Sequence, residues 1–473
     1  MSRPFAAVLV LVLGTSFATG AAAAPAAQAW PMFGGNLEGT SANAQPTGIT
    51  ASTVHALTLR KVALPGTVDA SVIYLPNVSI HGARHDALFA TTTYGKTLAV
   101  DADTGAILWD YTPAGYAKLA GTAQITTSTP VADPDHRYLY AASPDGYVEK
   151  LAIADGHVAW RTSITRLPQR EKMDSPLKFD HGDVIAATAG YVGDQPPYQG
   201  HVAILDGKTG RLLHVWNTLC SERSGLMDPS TCPASDAAIW GRAGPVIDPQ
   251  TGDIFIATGN APWNGKTDWG DAVIELDADA TRMLANYTPA NTDYLNDHDL
   301  DLGSTSPVWL GDGLIAQGGK DGKIRLLSLK AIAGTAPHKG GELQVVPTPG
   351  GDRLFTQPAV WKQAGKTWMF VADNSGTAAW QLAAGRLHPV WHNTTSGTSP
   401  FEAGGLLYVY SPEGGLHIYD AASGKAVATL PCGSGHWNSP IVVAGRIILP
   451  EGNANAHATR GVLDIWSLPR ARG

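Results

Sequence analysis

The chain of 473 residues is poor in charged residues (16%) and rich in glycine (53) and proline (32). Its net charge of −8, with no basic run, excludes an electrostatic case for nucleic-acid binding. The composition favours short strands joined by many turns over long helices.

The beginning of the chain predicts export. Arg3 precedes an apolar run over residues 5–13, and small residues follow that run. The run is too short to span a bilayer, so residues 1–29 are expected to be a signal peptide, cleaved after Ala24 or Ala29. No later apolar stretch is long enough for a membrane span, so we expect the mature protein in the periplasm or outside the cell.

Two series of repeats run through the rest of the chain. In the first, an apolar strand ends in Asp, a turn with Gly follows, and a second apolar strand often ends in Trp, most clearly at residues 98–109. This is the pattern of a β-hairpin. Further copies lie at residues 148–160, 201–216, 272–287, 323–329, 377–391, 416–430 and 462–468.

The second series places a proline directly before an apolar strand. Its prolines are Pro130, Pro176, Pro245, Pro307, Pro358, Pro400 and Pro440, and residues 69–72 form a copy without proline. Proline is tolerated at the first residue of a strand because its missing N–H breaks no ladder bond. We expect these strands to be innermost, with the Ser and Thr residues before them lining an axial channel.

Together the two series predict an all-β fold over residues 30–473: a single-domain, eight-bladed β-propeller with four-stranded antiparallel blades. Each blade has two apolar faces that only its neighbours can cover, so the ring must close. We expect the segment that begins at Trp30 to join the last blade near residues 462–468 and close it.

Three cysteines are present. Cys220 and Cys232 flank one insertion, and an oxidising compartment favours a loop-closing disulfide between them, with a redox role as the alternative. Cys432 is left over and is expected to be a buried thiol. No C-x-x-C-H occurs, so we expect no covalently attached c-type haem.

The repeats carry a family resemblance. The opening Trp30-Pro31-Met32-Phe33-Gly34 and the D-x-x-T-G-x-x-x-W turn of residues 101–109 resemble the quinoprotein (PQQ-dependent) alcohol dehydrogenase-like β-propellers. In that superfamily the turn is a tryptophan-docking repeat, whose Trp packs over the Gly of an adjacent blade. The resemblance covers nearly all of the mature chain and identifies a fold, not an activity.

Residues 238–242 and 257–264 are more specific, because they are similar to the central stretch of methanol- and alcohol-dehydrogenase quinoproteins. The resemblance implies that Trp240 stacks under the flat PQQ and that Asn260 supplies an amide oxygen to Ca²⁺ beside the quinone. An aromatic platform suits a planar cofactor, and a hard cation prefers oxygen ligands.

Residues 297–301 lie where this family carries its catalytic aspartate. The resemblance implies that Asp301 is the base, with Asp299 as its rival, and Asp301 is also a candidate metal ligand. Lys320 lies where the family uses Lys or Arg to hydrogen-bond the quinone oxygens. Each residue also has a plainer interpretation: a core Trp for Trp240, a turn residue for Asn260, a solvated acidic loop for the aspartates and a hairpin residue for Lys320.

The chain also departs from the family. The Glu that binds Ca²⁺ is expected after residues 187–190, but residues 191–195 hold no Glu, and Asp194 is its only substitute there. The adjacent-cysteine disulfide found over PQQ in many members is missing, and residues 141–144 replace it.

Two functions therefore follow as hypotheses. The first is an exported oxidoreductase with PQQ and Ca²⁺ in its axial funnel, which oxidises a small alcohol and passes electrons to a separate acceptor such as a cytochrome. The second is a non-catalytic propeller that serves as a binding or assembly platform for envelope proteins.

Overall fold

The repeats fold into a ring of eight sheets, which confirms the predicted eight-bladed β-propeller with four-stranded antiparallel blades. The structure is a computed structural model and describes residues 28–469. The predicted signal peptide falls almost entirely on residues 1–27, which lie outside the described residues.

The strands of the eight blades follow one another along the chain, except that the fourth strand of blade eight precedes blade one. Blades one to four are Ile73–Ile80, Ala83–Thr91, Thr97–Asp101 and Ile107–Tyr111; Val131–Ala132, Tyr138–Ser143, Tyr147–Ala152 and Val158–Ser163; Lys178–Asp180, Asp183–Ala187, His201–Asp206 and Leu212–Asn217; Val246–Ile247, Ile254–Ala257, Val273–Leu276 and Met283–Tyr287. Blades five to eight are Val308–Gly311, Leu314–Gly318, Lys323–Ser328 and Gln344–Pro347; Ala359–Gln363, Lys366–Ala372, Thr377–Ala383 and Arg386–Asn393; Phe401–Ala403, Leu406–Tyr410, Leu416–Asp420 and Ala426–Leu430; Ile441–Val443, Arg446–Glu451, Gly461–Ser467 and Thr58–Leu64.

Few elements lie outside the blades. Ala42–Asn43 adds a parallel strand to blade seven, and Glu171–Lys172 pairs with Ala189–Gly190 in a small separate sheet. The α-helices are Tyr116–Leu119, Thr292–Asp297 and Leu329–Ile332, and the 3₁₀ helices are Val54–Ala56, Pro229–Thr231, Leu302–Ser304 and Ala454–Ala456. Within residues 28–469, none of the helices has the length and apolar character needed to cross a bilayer.

The strands that follow the prolines are the innermost ones, as predicted, because the first strands of neighbouring blades contact one another. Two of the small polar residues before them have a different role from the one expected. The Ser175 hydroxyl donates to the Ile239 carbonyl at 2.8 Å, and that of Ser306 donates to the Gly244 carbonyl at 2.7 Å. Instead of facing an open channel, these buried side chains hydrogen-bond neighbouring blades to each other.

The tryptophan-docking contacts are present between blades. The Trp109 indole N–H donates to the Ile153 carbonyl of the next blade at 2.9 Å, and a Cβ on Gly156 would lie only 2.9 Å from the Trp109 ring. Trp160 lies in the same way on Gly210. Each pair fixes the turn of one blade against the outer strand of the preceding blade.

The ring closes at a different place from the one predicted. The strand that completes the last blade is Thr58–Leu64, which pairs antiparallel with Gly461–Ser467 along its whole length. Trp30 instead forms an isolated bridge with Tyr74 in blade one. The prediction that the Trp30 segment closes the ring was wrong. The strand that pairs with Gly461–Ser467 begins at Thr58, about thirty residues after Trp30.

The segment from Trp30 to Asn43 crosses one end of the ring. Its carbonyls accept hydrogen bonds from inner strands: Pro31 from Ala132 at 2.9 Å, and Thr40 from Val360 at 2.8 Å. Lys178, on the inner strand of blade three, is fully buried and donates to the Asn36 carbonyl at 3.1 Å. The segment therefore packs across the axis of the propeller.

Burial of Lys178 makes stability depend on pH. Burial lowers the pKa of its ammonium to about 7, whereas an unfolded lysine titrates near about 10.4. Between these values the unfolded chain binds more protons, so the free energy of unfolding should rise with pH by up to about 1.4 kcal/mol per pH unit. In urea denaturation between pH 7 and 9, Lys178→Met should lose this rise, while the exposed control Lys366→Met keeps it. Equal slopes in wild type and Lys178→Met would contradict the prediction.

Cys220 and Cys232 form a disulfide, as expected. Cys432 is half-buried, less enclosed than expected, and its Sγ accepts the Gly415 N–H at 3.2 Å. Burial raises the pKa of the Cys432 thiol to about 12, so this thiol is protonated and unreactive at neutral pH.

Candidate active site

A cavity of about 330 Å³ lies at the end of the ring where the inner strands begin. Its walls come from the segments just before the inner strands and from the loops between the second and third strands of the blades. The segments before the inner strands supply Asp174, Trp240, Asp301 and Trp437. A loop between a second and a third strand supplies Lys320. The volume falls within the range of about 300–1,000 Å³ that is typical of small-molecule sites.

An ion pair forms the centre of this cavity. The Lys320 ammonium contacts the Asp301 carboxylate and lies 2.6 Å from the Asp299 carboxylate. The second oxygen of Asp301 accepts the backbone N–H of Asn260 at 2.6 Å. Both oxygens of Asp301 are therefore engaged by this chain's own donors.

Burial controls the charges of this pair. Burial raises the pKa of the fully enclosed Asp301 carboxyl, although the Lys320 ammonium partly offsets the effect. For Lys320, burial alone would lower the pKa of the ammonium, but Asp301 and Asp299 outweigh it and hold that pKa above its ordinary value. Lys320 is thus a charged ammonium at neutral pH.

Trp240 lies against this ion pair. The Lys320 ammonium is 5.3 Å from the centre of the Trp240 ring, within reach of a cation–π interaction. Phe355 packs at a tilted 6.0 Å and Trp437 edge-on at 6.5 Å, so three aromatic rings line one wall. An aromatic wall beside an ammonium can hold a flat, electron-poor ring whose carbonyl oxygens accept from the ammonium.

A second charged cluster, which was not predicted, lies beside Trp437. The buried Asp174 carboxylate pairs with Lys172 at 3.0 Å and with Arg242 at 3.1 Å, and it also accepts from the Thr127 hydroxyl. The Arg242 guanidinium lies 5.1 Å from the centre of the Trp437 ring. The available signal was position: Asp174 and Thr127 each stand two or three residues before an inner-strand proline.

Asp194 lines the cavity, but nothing in its surroundings marks it as a replacement for the missing Ca²⁺-binding Glu. Its carboxylate accepts the Tyr198 hydroxyl at 2.8 Å. Asn260 contributes its backbone N–H to Asp301, and its side chain is not among the groups that line the cavity. Of the predicted site residues, Trp240, Asp299, Asp301, Lys320 and Asp194 therefore line one cavity, and Asn260 adjoins it through its backbone.

Within the described residues, the carboxylates of the cavity are not grouped as metal ligands. Across residues 28–469, a single group of three His, Cys, Asp or Glu residues has ligand atoms close enough to share an ion: Cys220, Cys232 and Asp268. Two of these form the disulfide. Next to Asp301, the positive charge is that of the Lys320 ammonium.

Comparison with known proteins places this ring in a family. A family profile described as outer membrane protein assembly factor BamB (PQQ_2) matches residues 42–266 and 369–462, more than half of the chain. The chain belongs to this family of PQQ-like propellers. The resemblance found in the sequence is thereby confirmed at the level of the β-propeller superfamily.

Other members of the PQQ-like propeller superfamily match over most of this chain. A polyvinylalcohol dehydrogenase from Pseudomonas sp. is 21% identical over 444 residues, covering 84% of this chain and 66% of the relative. The crystal structure of quinohemoprotein alcohol dehydrogenase from Comamonas testosteroni gives a TM-score of 0.67 at 14% identity and covers 94% of this chain and 81% of that chain. BamB from Moraxella catarrhalis gives a TM-score of 0.55 at 13% identity, over 88% of this chain and 99% of that chain. These structural matches establish the PQQ-like propeller fold.

Proposed function

We propose that this PQQ-like propeller is an exported quinoprotein-type dehydrogenase that binds PQQ in the axial cavity and oxidises an alcohol. The observation that carries the proposal is that Trp240, Lys320 and Asp301 line the same cavity. The likeness to a polyvinylalcohol dehydrogenase supports an alcohol as the substrate class and makes polymeric alcohols worth testing beside small ones.

The residues of the cavity suit an anionic, flat quinone. Trp240 provides an aromatic surface, and the Lys320 ammonium is placed to donate to a quinone oxygen. Arg353 also lines the cavity and supplies a second cation for an anionic group. When bound, PQQ would accept the hydride from the alcohol carbon.

Ca²⁺ fits less well than PQQ. The sequence predicts that Asn260, Asp194 and Asp301 hold it, but Asp301 is engaged by Lys320 and Asn260 N–H, and Asp194 by Tyr198. A divalent ion would have to displace an ammonium from a carboxylate and would lack the family's Glu. We therefore derive no step through Ca²⁺, and we assign to Lys320 the positive charge beside the quinone.

A separate acceptor, such as a cytochrome, would then remove the electrons, since the sequence has no covalent haem motif. The second candidate function is a platform for envelope proteins, and the family description and the BamB-like fold favour it. A platform needs no quinone, so cofactor retention separates the two functions.

Reconstitution provides the test. The protein should retain PQQ after desalting, and PQQ binding should quench its tryptophan fluorescence. The loaded protein should reduce an artificial dye when an alcohol is supplied as substrate. Trp240→Ala should weaken PQQ binding by roughly tenfold, because an aromatic contact of this kind contributes about 1 kcal/mol or more. Trp361→Ala removes another half-buried tryptophan outside the cavity and should bind PQQ like wild type.

Two further arms complete this experiment. Parallel loadings with Ca²⁺ and with a chelator should give equal PQQ retention. If PQQ is retained only with Ca²⁺, the metal site predicted from the sequence is supported instead. If no quinone is retained under either condition, the dehydrogenase proposal fails and the platform function is favoured.

A further inference from the structure

A histidine on the cavity wall is held by a buried carboxylate. His436 lines the cavity, and its Nδ1 lies 2.7 Å from an oxygen of Asp69. The Asp69 side chain is 0% exposed and also accepts the N–H groups of Trp437 at 2.7 Å and Ala454 at 2.8 Å. The His436 side chain is 24% exposed. Asp69 is therefore anchored by backbone donors, and it in turn fixes the imidazole.

This arrangement leaves one ring nitrogen of His436 available. A carboxylate accepts but does not donate, so the proton of a neutral imidazole lies on Nδ1 and the lone pair on Nε2. Among the described hydrogen bonds, Nε2 has no protein partner. The same geometry orients the general base in serine hydrolases, where a buried Asp holds the histidine in the tautomer that accepts a proton.

The two buried carboxylates of the cavity are occupied. Asp301 is bonded to Lys320 and Asn260 N–H, and Asp174 is bonded to Lys172 and Arg242. Burial raises the pKa of Asp301, but both of its oxygens are already engaged by these donors. His436, by contrast, has an oriented ring nitrogen, Nε2, with no hydrogen-bond partner among residues 28–469.

We propose that His436, positioned by Asp69, accepts the hydroxyl proton of the alcohol, and that Asp301 positions Lys320 instead of acting as the base. This inference rests on the proposed dehydrogenase function. In the step, the alcohol O–H bond would break and an Nε2–H bond would form, and the bound quinone would be the oxidant that takes the carbon's hydrogen with both electrons. The partial exposure of His436 then allows the proton to pass to water.

Several charged groups surround the segment that carries His436, and they set its environment. Asp69 contacts its ring, Glu451 accepts the N–H of Gly433 at 2.6 Å on the same segment, and Arg242 packs on the adjacent Trp437 ring. Two carboxylates and one guanidinium therefore face this segment. Asp69 is the carboxylate partner of an imidazolium. Among the described hydrogen bonds, none of the three groups bonds to Nε2.

The first measurement uses the protein without cofactor. The His436 and Trp437 ring centres are 4.2 Å apart, and a protonated imidazole quenches indole fluorescence. Acidification should lower tryptophan fluorescence in wild type, and the fall should be smaller in His436→Gln and in Trp437→Phe. His417→Gln, which changes a half-buried histidine outside the cavity, should behave like wild type. No difference between wild type and His436→Gln would show that this imidazole does not accept a proton beside Trp437, which contradicts the inference.

The second measurement uses PQQ-loaded protein. His436→Gln should lower kcat about 10²- to 10⁴-fold with little change in PQQ retention, and it should remove the ionisation on the acidic side of the kcat/KM profile. Asp69→Asn should lower kcat less and shift that ionisation, because it changes the orientation of the base without removing it. If His436→Gln retains PQQ, the rate and the acidic limb while Asp301→Asn loses them, the inference is wrong and Asp301 is the base. If wild type retains no PQQ, the proposed function itself fails, and the inference falls with it.

Discussion

Replacing Lys320 with methionine is expected to lower dye reduction by the quinone-loaded protein by about 10²-fold or more. Lys320 is the charged donor beside Trp240, and its ammonium is largely enclosed, with 12% of the side chain exposed. A fixed positive charge in a poorly solvated site stabilises negative charge that develops on a quinone oxygen far more than a solvated one would. Methionine keeps the length and apolar stem of the side chain but has no charge to offer.

The loss should be specific to this position. Lys323→Met, in the same hairpin, removes a lysine whose side chain is 51% exposed, and its rate should stay within twofold of wild type. Lys320→Arg keeps the charge and should recover part of the activity. Thermal unfolding of each variant checks that the blade remains folded. A Lys320→Met protein that retains PQQ and reduces dye at the wild-type rate would remove Lys320 from the mechanism.

The fold was predictable because the repeats are local. Each hairpin carries its own turn residues, such as Asp101 and Gly105, and the Asp101 carboxylate accepts the N–H of Thr104 at 2.7 Å within the same turn. Repetition of that unit implies a ring, since the blades can bury their faces only against each other. The closing strand Thr58–Leu64 could not be placed in this way, because its partner lies about 400 residues away and its own sequence resembles any exposed edge strand.

The candidate site was predictable only in part, for the same reason. Trp240, Asp301 and Lys320 belong to blades four and five, and a short resemblance covers both. His436 and Asp69 come from the two ends of the chain and meet only because the ring closes between blades eight and one. Ring closure is a long-range event, so no local pattern connects these residues. A common position just before an inner strand is the one sequence feature that they share.

The largest effect on stability is expected from Asp174→Asn. Asp174 is fully buried and neutralises both Lys172 and Arg242, whose side chains are 5% and 4% exposed. Removing one partner of a buried ion pair leaves uncompensated charge, here two cations, and costs about 3–5 kcal/mol of unfolding free energy. Urea denaturation at pH 7 measures this loss, and Asp299→Asn, whose side chain is 53% exposed, should cost less than about 1 kcal/mol.

The pH dependence of the wild type gives an independent check on the same cluster. Burial alone would raise the pKa of Asp174, but Lys172 and Arg242 outweigh it and hold that pKa well below its ordinary value. The stabilisation is therefore complete above about pH 4, near the pKa of an unfolded Asp, and it is lost as pH falls towards the depressed pKa of the folded state. The difference in stability between wild type and Asp174→Asn should shrink as pH falls below about 4. A variant within about 1 kcal/mol of wild type at pH 7 would mean that Lys172 and Arg242 find other anions or water. The cluster would then not be the rigid wall that cavity binding requires.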